Sequence, residues 1–123
     1  MTPPSPQVHT FTFDVPAPPG EVYTAMANLF PDNPAFVVKA ADPDAMQVVC
    51  DVPVSSFSWG EYLTAQARPS ASIDEAATAL TISVQGKVGG KPSERRRNLK
   101  VATEFRQSVE GLIHRMRAQH SPA

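Results

Sequence analysis

Apolar and polar residues alternate along Val8-His-Thr-Phe-Thr-Phe-Asp14, so His9, Phe11 and Phe13 share one side. A period of two is that of a strand with one buried face, and residues 8–14 are predicted to form one. Pro16, Pro18, Pro19 and Gly20 close it. In Glu21-Val-Tyr-Thr-Ala-Met-Ala-Asn-Leu-Phe30 the period changes, and Val22, Met26, Leu29 and Phe30 fall on one side of a predicted helix. Prolines ahead of it preset the helical φ, Glu21 suits the positive end of the dipole, and Pro31 cannot continue the hydrogen bonding.

Two apolar, β-branched runs follow over 36–41 and 46–52, separated by the turn sequence Asp42-Pro-Asp-Ala45. They read as a hairpin with Phe36, Val38, Val48, Cys50 and Val52 inward. Residues 57–67 alternate again, placing Phe57, Trp59, Glu61, Leu63, Ala65 and Ala67 on one face. After a loop over 68–78, a strand over 79–85 turns Leu80, Ile82 and Val84 inward. From Pro92-Ser93 to about Ala118 the spacing of Ala102, Phe105, Val109, Leu112 and Met116 gives one apolar helical stripe. Ser93 suits an N-cap, and Lys100–Glu104 and Arg106–Glu110 are spaced as i,i+4 ion pairs. Gly111 costs this helix ~1 kcal/mol against alanine and marks a bend or a close packing contact.

The order is strand, helix, four strands, helix. A sheet with one apolar face must cover it, and the last helix carries a matching stripe. The predicted fold is therefore α+β: a curved five-stranded antiparallel sheet packed on a long C-terminal helix, with a short helix after the first strand. At 123 residues the chain is one domain, expected over 8–118, with a disordered tail over 1–7 and a frayed one over 119–123.

Composition narrows the setting. Hydrophobic content of 41% and charged content of 19% suit a globular chain with one real core. No apolar run approaches the roughly 18 residues of a membrane span. The start, Met-Thr-Pro-Pro-Ser-Pro-Gln, lacks the basic and apolar segments of a secretory signal, and the single cysteine, Cys50, has no internal partner. Both point to a reducing cytoplasm. Nine of the thirteen prolines fall in the first 43 residues, so that half is heavily punctuated.

Charge is unevenly spread. Residues 1–86 hold nine acids against two bases, leaving −7, and residues 87–123 hold nine bases against three acids, leaving +6. Either the basic part meets an anionic partner or the two parts neutralise each other within the fold. The stretch Gly86-Lys-Val-Gly-Gly-Lys-Pro-Ser-Glu-Arg-Arg-Arg-Asn98 lies where a phosphate-binding loop would, between a strand and a helix. The G-x-x-x-x-G-K-[ST] pattern fails there: Gln85 stands at the first glycine, and Pro92 replaces the hydroxyl and removes an amide. Arg95, Arg96 and Arg97 oppose the helix dipole by ~0.3–1 kcal/mol each. They point into water, reach acids such as Asp74 or Glu75, or join Lys87 and Lys91 in holding an anion.

Trp59, Glu61 and Tyr62 are the most informative group. By alternation Glu61 faces the core beside Trp59 and Leu63, where a carboxylate needs a partner or a raised pKa and can orient a ligand or act as a base. Alternatively Gly60 marks a bulge that turns Glu61 outward. His9, His114 and His120 show no metal-ligand spacing; His9 reads as a structural histidine beside Phe11, and Cys50 as buried filler. No hydrolase, zinc or cofactor motif occurs, so neither metal nor cofactor is expected and nothing marks an enzyme.

The element order, and the stretch Phe13-Asp-Val-Pro-Ala-Pro-Pro-Gly-Glu-Val-Tyr-Thr-Ala-Met26, resemble the helix-grip superfamily of START and birch-pollen-allergen-like proteins (SRPBCC). Phe57-Ser-Trp-Gly-Glu-Tyr-Leu63, Thr78-Ala-Leu-Thr-Ile-Ser-Val84 and the Arg97-Asn-Leu99 helix are similar to short bacterial members. Full-size members carry further strands; this chain matches the minimal β-α-β4-α unit of a TATA-binding-protein-like repeat. The resemblance implies binding of apolar small molecules between sheet and long helix, with occasional cyclase or hydrolase activity and no shared catalytic motif.

Three functions follow. The first is a small intracellular binding protein for a lipid-like or aromatic molecule. Met26, Trp59, Leu63, Phe105 and Val109 would line its pocket, with Glu61 or Tyr62 as polar anchor. The second is an interaction module that pairs as a homodimer through a sheet edge or helix face. The third is anion or nucleic-acid binding through Lys87, Lys91 and Arg95–Arg97.

Overall fold

The computed structural model describes residues 7–30, 33–55, 60–70, 77–89 and 93–120, and of residue 120 the backbone alone. In chain order the elements are β1 (Val8–Val15), α1 (Pro19–Ala27), β2 (Val37–Asp42), β3 (Gln47–Val52), β4 (Glu61–Pro69), β5 (Thr78–Gly86) and α2 (Glu94–His120). The strands form one antiparallel sheet in the order β1-β5-β4-β3-β2, so β1 crosses to the far edge beside β5. α2 packs on β1 and β5, and α1 covers β3 and β4 and leans against α2. This is the predicted α+β architecture.

The period-two pattern of the sequence sorts the sheet's two faces. Val48, Cys50, Val52, Leu63, Ala65, Ala67, Leu80, Ile82 and Val84 are buried inward. The outward row is polar, and Thr10 and Ser83 share a 2.9 Å hydrogen bond across β1 and β5. From α2, Ala102, Phe105 and Val109 are fully buried against the sheet, Leu112 is buried and Met116 partly so. Val101 and Ile113 are buried as well, which makes the stripe wider than the spacing suggested.

Several expectations change. α1 ends at Ala27, short of Phe30, because the Asn28 side chain donates to Thr24 O at 2.7 Å and closes the last turn before Pro31 is reached. Leu29 remains buried, but Phe30 is 47% exposed. In β2 Val38 stands opposite Cys50 and packs against the core, inward as expected but only partly buried, and a register shift between Val38 and Ala40 then breaks the alternation. Ser93 precedes α2 with φ 60, not the extended backbone usual at an N-cap. Gly111 faces open space, so close packing does not account for it. α2 runs to His120, past the expected frayed start, while Phe57 and Trp59 lie outside the described residues.

Polar atoms inside the fold are accounted for by bonds between elements. Asn98 is 2% exposed and its Nδ2 donates to Val84 O at 3.2 Å and to His9 Nδ1 at 2.8 Å. That contact ties α2 to both β5 and β1, and gives His9 its structural place. Thr78 Oγ1, fully buried, donates to Ala17 O at 2.6 Å and fixes the turn before α1.

Candidate functional site

The seam between sheet and α2 is filled in its middle. Met26, Leu63, Phe105 and Val109, all expected to line a pocket, are fully buried together in one core cluster. Tyr62 belongs to the other side: it is 54% exposed, with Lys87 Nζ 5.2 Å over its ring. An outward residue of β4 cannot reach the seam, because side chains alternate between faces. Trp59 lies outside the described residues.

The seam opens at one corner. There Pro34 and Ala35, ahead of β2, and Pro53 and Ser55, after β3, border the inner face. They leave a cavity of about 260 Å³. Phe36, Val52 and Val101 are its buried walls, with Pro34, Ala35, Pro53 and Ser55 around them. Lys100 and Glu104, exposed and one helical turn apart, stand on its α2 side. Phe36 also meets the Phe105 ring edge-on, centroids 5.2 Å apart and planes at 83°, so the cavity's wall is keyed into the central core. A dry cavity of about 150 Å³ takes up benzene. About 260 Å³ therefore suits a compact ligand of one or two rings or a short acyl chain, just below the roughly 300–1,000 Å³ of drug-sized pockets.

Glu61 faces inward. It is 2% exposed and stands directly across the ladder from Val52, a cavity wall, on the same face of the sheet. Gly60 does adopt a left-handed φ of 91°, yet β4 starts after it in register, so no bulge turns Glu61 outward. The glycine is needed on two counts. Its φ suits no other residue well, and a Cβ there would sit 2.9 Å from Lys87 Cδ.

The basic segment is partly spent inside the fold. Lys87 Nζ lies 2.6 Å from Asp51, and Arg95 sits 5.1 Å over the Phe11 ring. Arg96 is exposed, Arg97 half-buried, and Lys91 lies outside the described residues, as do Asp74 and Glu75. Arg117 grips Glu21 with two bonds, at 2.5 and 3.0 Å, and that guanidinium holds the Glu21 carboxyl below its ordinary range. Lys87–Asp51 and Arg117–Glu21 both join the basic C-terminal part to the acidic remainder, so the charge halves neutralise each other at these points. Arg106 bonds Glu110 at 2.7 Å, as the i,i+4 spacing predicted.

Cys50 is buried, and desolvation pushes its thiol up to about 12. Among the described residues no cluster of three His, Cys, Asp or Glu side chains could hold a metal ion, and no helix is long and apolar enough to cross a membrane.

Sequence reasoning missed the walls Pro34, Ala35, Pro53 and Val101. Val101 precedes Phe105 by one turn and could have been read from that spacing. The prolines carried no such signal, because a cavity arises where covering segments end.

No protein-family model matches the chain, and no curated protein matches it in sequence. Solved structures do resemble it. The di-domain aromatase/cyclase BexL from the BE-7585A biosynthetic pathway superposes with a TM-score of 0.59 at 18% identity, covering 94% of this chain and 48% of that one. This chain thus spans about half the length of that protein. The allergen Ara h 8.0201 gives 0.55 at 16% identity over 87% of this chain and 98% of its own. The Zhui aromatase/cyclase from Streptomyces sp. R1128 gives 0.51 at 12% identity over 95% and 99%. Together with the sheet order and the long closing helix, these likenesses define the fold: the chain has the helix-grip fold.

Proposed function

We propose that the protein binds a small apolar molecule in the corner cavity, with the ring or acyl part against Phe36, Val52 and Val101 and a polar group toward Glu61 or the Lys100–Glu104 side. The carrying observation is an apolar cavity of about 260 Å³ between the sheet and α2, next to a buried carboxylate on the same inward face. An ionisable group so placed favours a functional site. That two structural neighbours are named aromatase/cyclases favours a ring-bearing ligand over an acyl chain. The pocket of this reading lies beside Phe105, rather than among Met26, Leu63 and Val109, which fill the core.

Native mass spectrometry of the intact chain with 2-naphthol as probe tests the reading. A one-to-one complex is expected, lost in Val101→Phe, whose ring occupies the cavity. The exposed Val88→Phe serves as the control for surface binding. Equal adducts on all three proteins, or none on the wild type, would reject the cavity as a binding site.

A further inference from the structure

The two edges of the sheet are built differently. β2 is six residues long, carries a register shift, and exposes Lys39 beside it. Short length, an irregularity and lysine are the devices by which sheets keep an edge from pairing with another chain. β1 has none of them. It runs eight residues in unbroken register with β5, contains neither lysine nor proline, and among the described residues pairs with β5 alone. From α2, Arg95 and Arg106 lie 5.1 and 5.3 Å over the Phe11 and Phe13 rings. They cover the faces of those rings, and no described segment pairs with the outer edge of the strand.

We propose that β1 docks antiparallel against β1 of a second copy of this chain, about a two-fold axis through Thr12, joining two five-stranded sheets into one of ten. The sequence Val8-His-Thr-Phe-Thr-Phe-Asp-Val15 is self-complementary in that register. On the inner face Phe11 stands opposite Phe13 of the second copy, and aromatic pairs stabilise antiparallel strands. On the outer face Thr12 meets Thr12 and the Thr10 hydroxyl can donate to the Asp14 carboxylate. The hydroxyl rows already formed by Thr10 with Ser83 and Thr12 with Thr81 then continue across the axis. An axis through Phe11 would set Asp14 against Val8, and one through Asp14 would oppose two carboxylates. Axes through Thr12 and Phe13 both leave Asp14 facing a threonine, and of the two the Thr12 axis pairs the longer part of the strand, residues 9–15 against 11–15. On the inner face Arg95 comes near Arg106 of the second copy, whose charge is already paired by Glu110 at 2.7 Å.

Sedimentation velocity of the full chain across a concentration series tests this independently of the cavity. A species of twice 13.3 kDa is expected at high concentration. Thr12→Lys, at an exposed position, sets two ammonium groups face to face and weakens association several-fold while circular dichroism stays unchanged. Thr12→Cys forms an intermolecular disulfide under mild oxidation, whereas Ala40→Cys on the β2 edge does not. A monomer at every concentration, a dimer indifferent to Thr12→Lys, or cross-linking through Ala40→Cys alone would overturn the proposal.

Discussion

Replacing Phe105 by alanine removes the side chain on which the fold most depends. The ring is fully buried at the centre of the α2 stripe and meets Phe36 edge-on at 5.2 Å. Truncation of a buried phenylalanine costs about 3–5 kcal/mol in lost transfer free energy and residual void. A domain of this kind has a total stability of about 5–15 kcal/mol, so about a fifth or more of it disappears. With a urea m-value of about 1–3 kcal/mol/M the midpoint falls by about 1–5 M. Leu99, on the same helix but 41% exposed, serves as the control, and Leu99→Ala stays within about 0.5 kcal/mol. A double-mutant cycle with Phe36→Leu isolates the ring pair, with an expected coupling of about 0.5–1.5 kcal/mol. Urea unfolding followed by circular dichroism reads all of these. If Phe105→Ala costs no more than Leu99→Ala, α2 does not dock on the sheet through this stripe, and the reasoning from helical spacing to packing fails.

Other consequences are quicker to check. Cys50, with its thiol pushed up to about 12 by burial, should react with Ellman's reagent near neutral pH only as fast as the protein unfolds; prompt reaction of the native chain would place it at the surface. Glu21 titrates below its ordinary range because of Arg117, so the stability contributed by that pair is present at neutral pH and fades as pH drops through the lowered value. Arg117→Gln should therefore unfold slightly more easily than wild type at pH 7 and indistinguishably in strong acid, and a gap constant with pH would count against the ion pair. Gly60→Ala must hold φ near 91° and push Lys87 aside, at a cost of about 1–3 kcal/mol in chemical denaturation; a neutral result would mean that the strand start is laxer than described.

Most of the fold was legible because each element carries one unambiguous period. The alternation of 8–14 and 79–85 and the stripe of 102–116 are long enough to fix both type and buried face. What failed did so for local reasons. The end of α1 is set by the Asn28 side chain turning back on Thr24, a short-range bond that outruns the stronger-looking Pro31. The irregularity in β2 is invisible in a run as uniform as Phe36-Val-Val-Lys-Ala-Ala41. The site was half legible. Glu61 could be assigned to the inner face by parity, and Gly60 raised a doubt that only the register could settle. The cavity could not be read, because it depends on where α1 and α2 fail to cover the sheet, a property of how elements sit together rather than of any one of them. The same holds for the cations. Lys87 and Arg95 look like a binding patch in one dimension, and in three they lie against Asp51 and Phe11.

The central claim is that the corner between Phe36, Val52 and Val101 takes up a small apolar molecule, and methyl-detected NMR tests it most directly. Intermolecular Overhauser contacts from 2-naphthol to the Val52 and Val101 methyl groups, with none to Val8 or Val88, are the predicted result. Contacts confined to those exposed valines, or none at any methyl group, would contradict it.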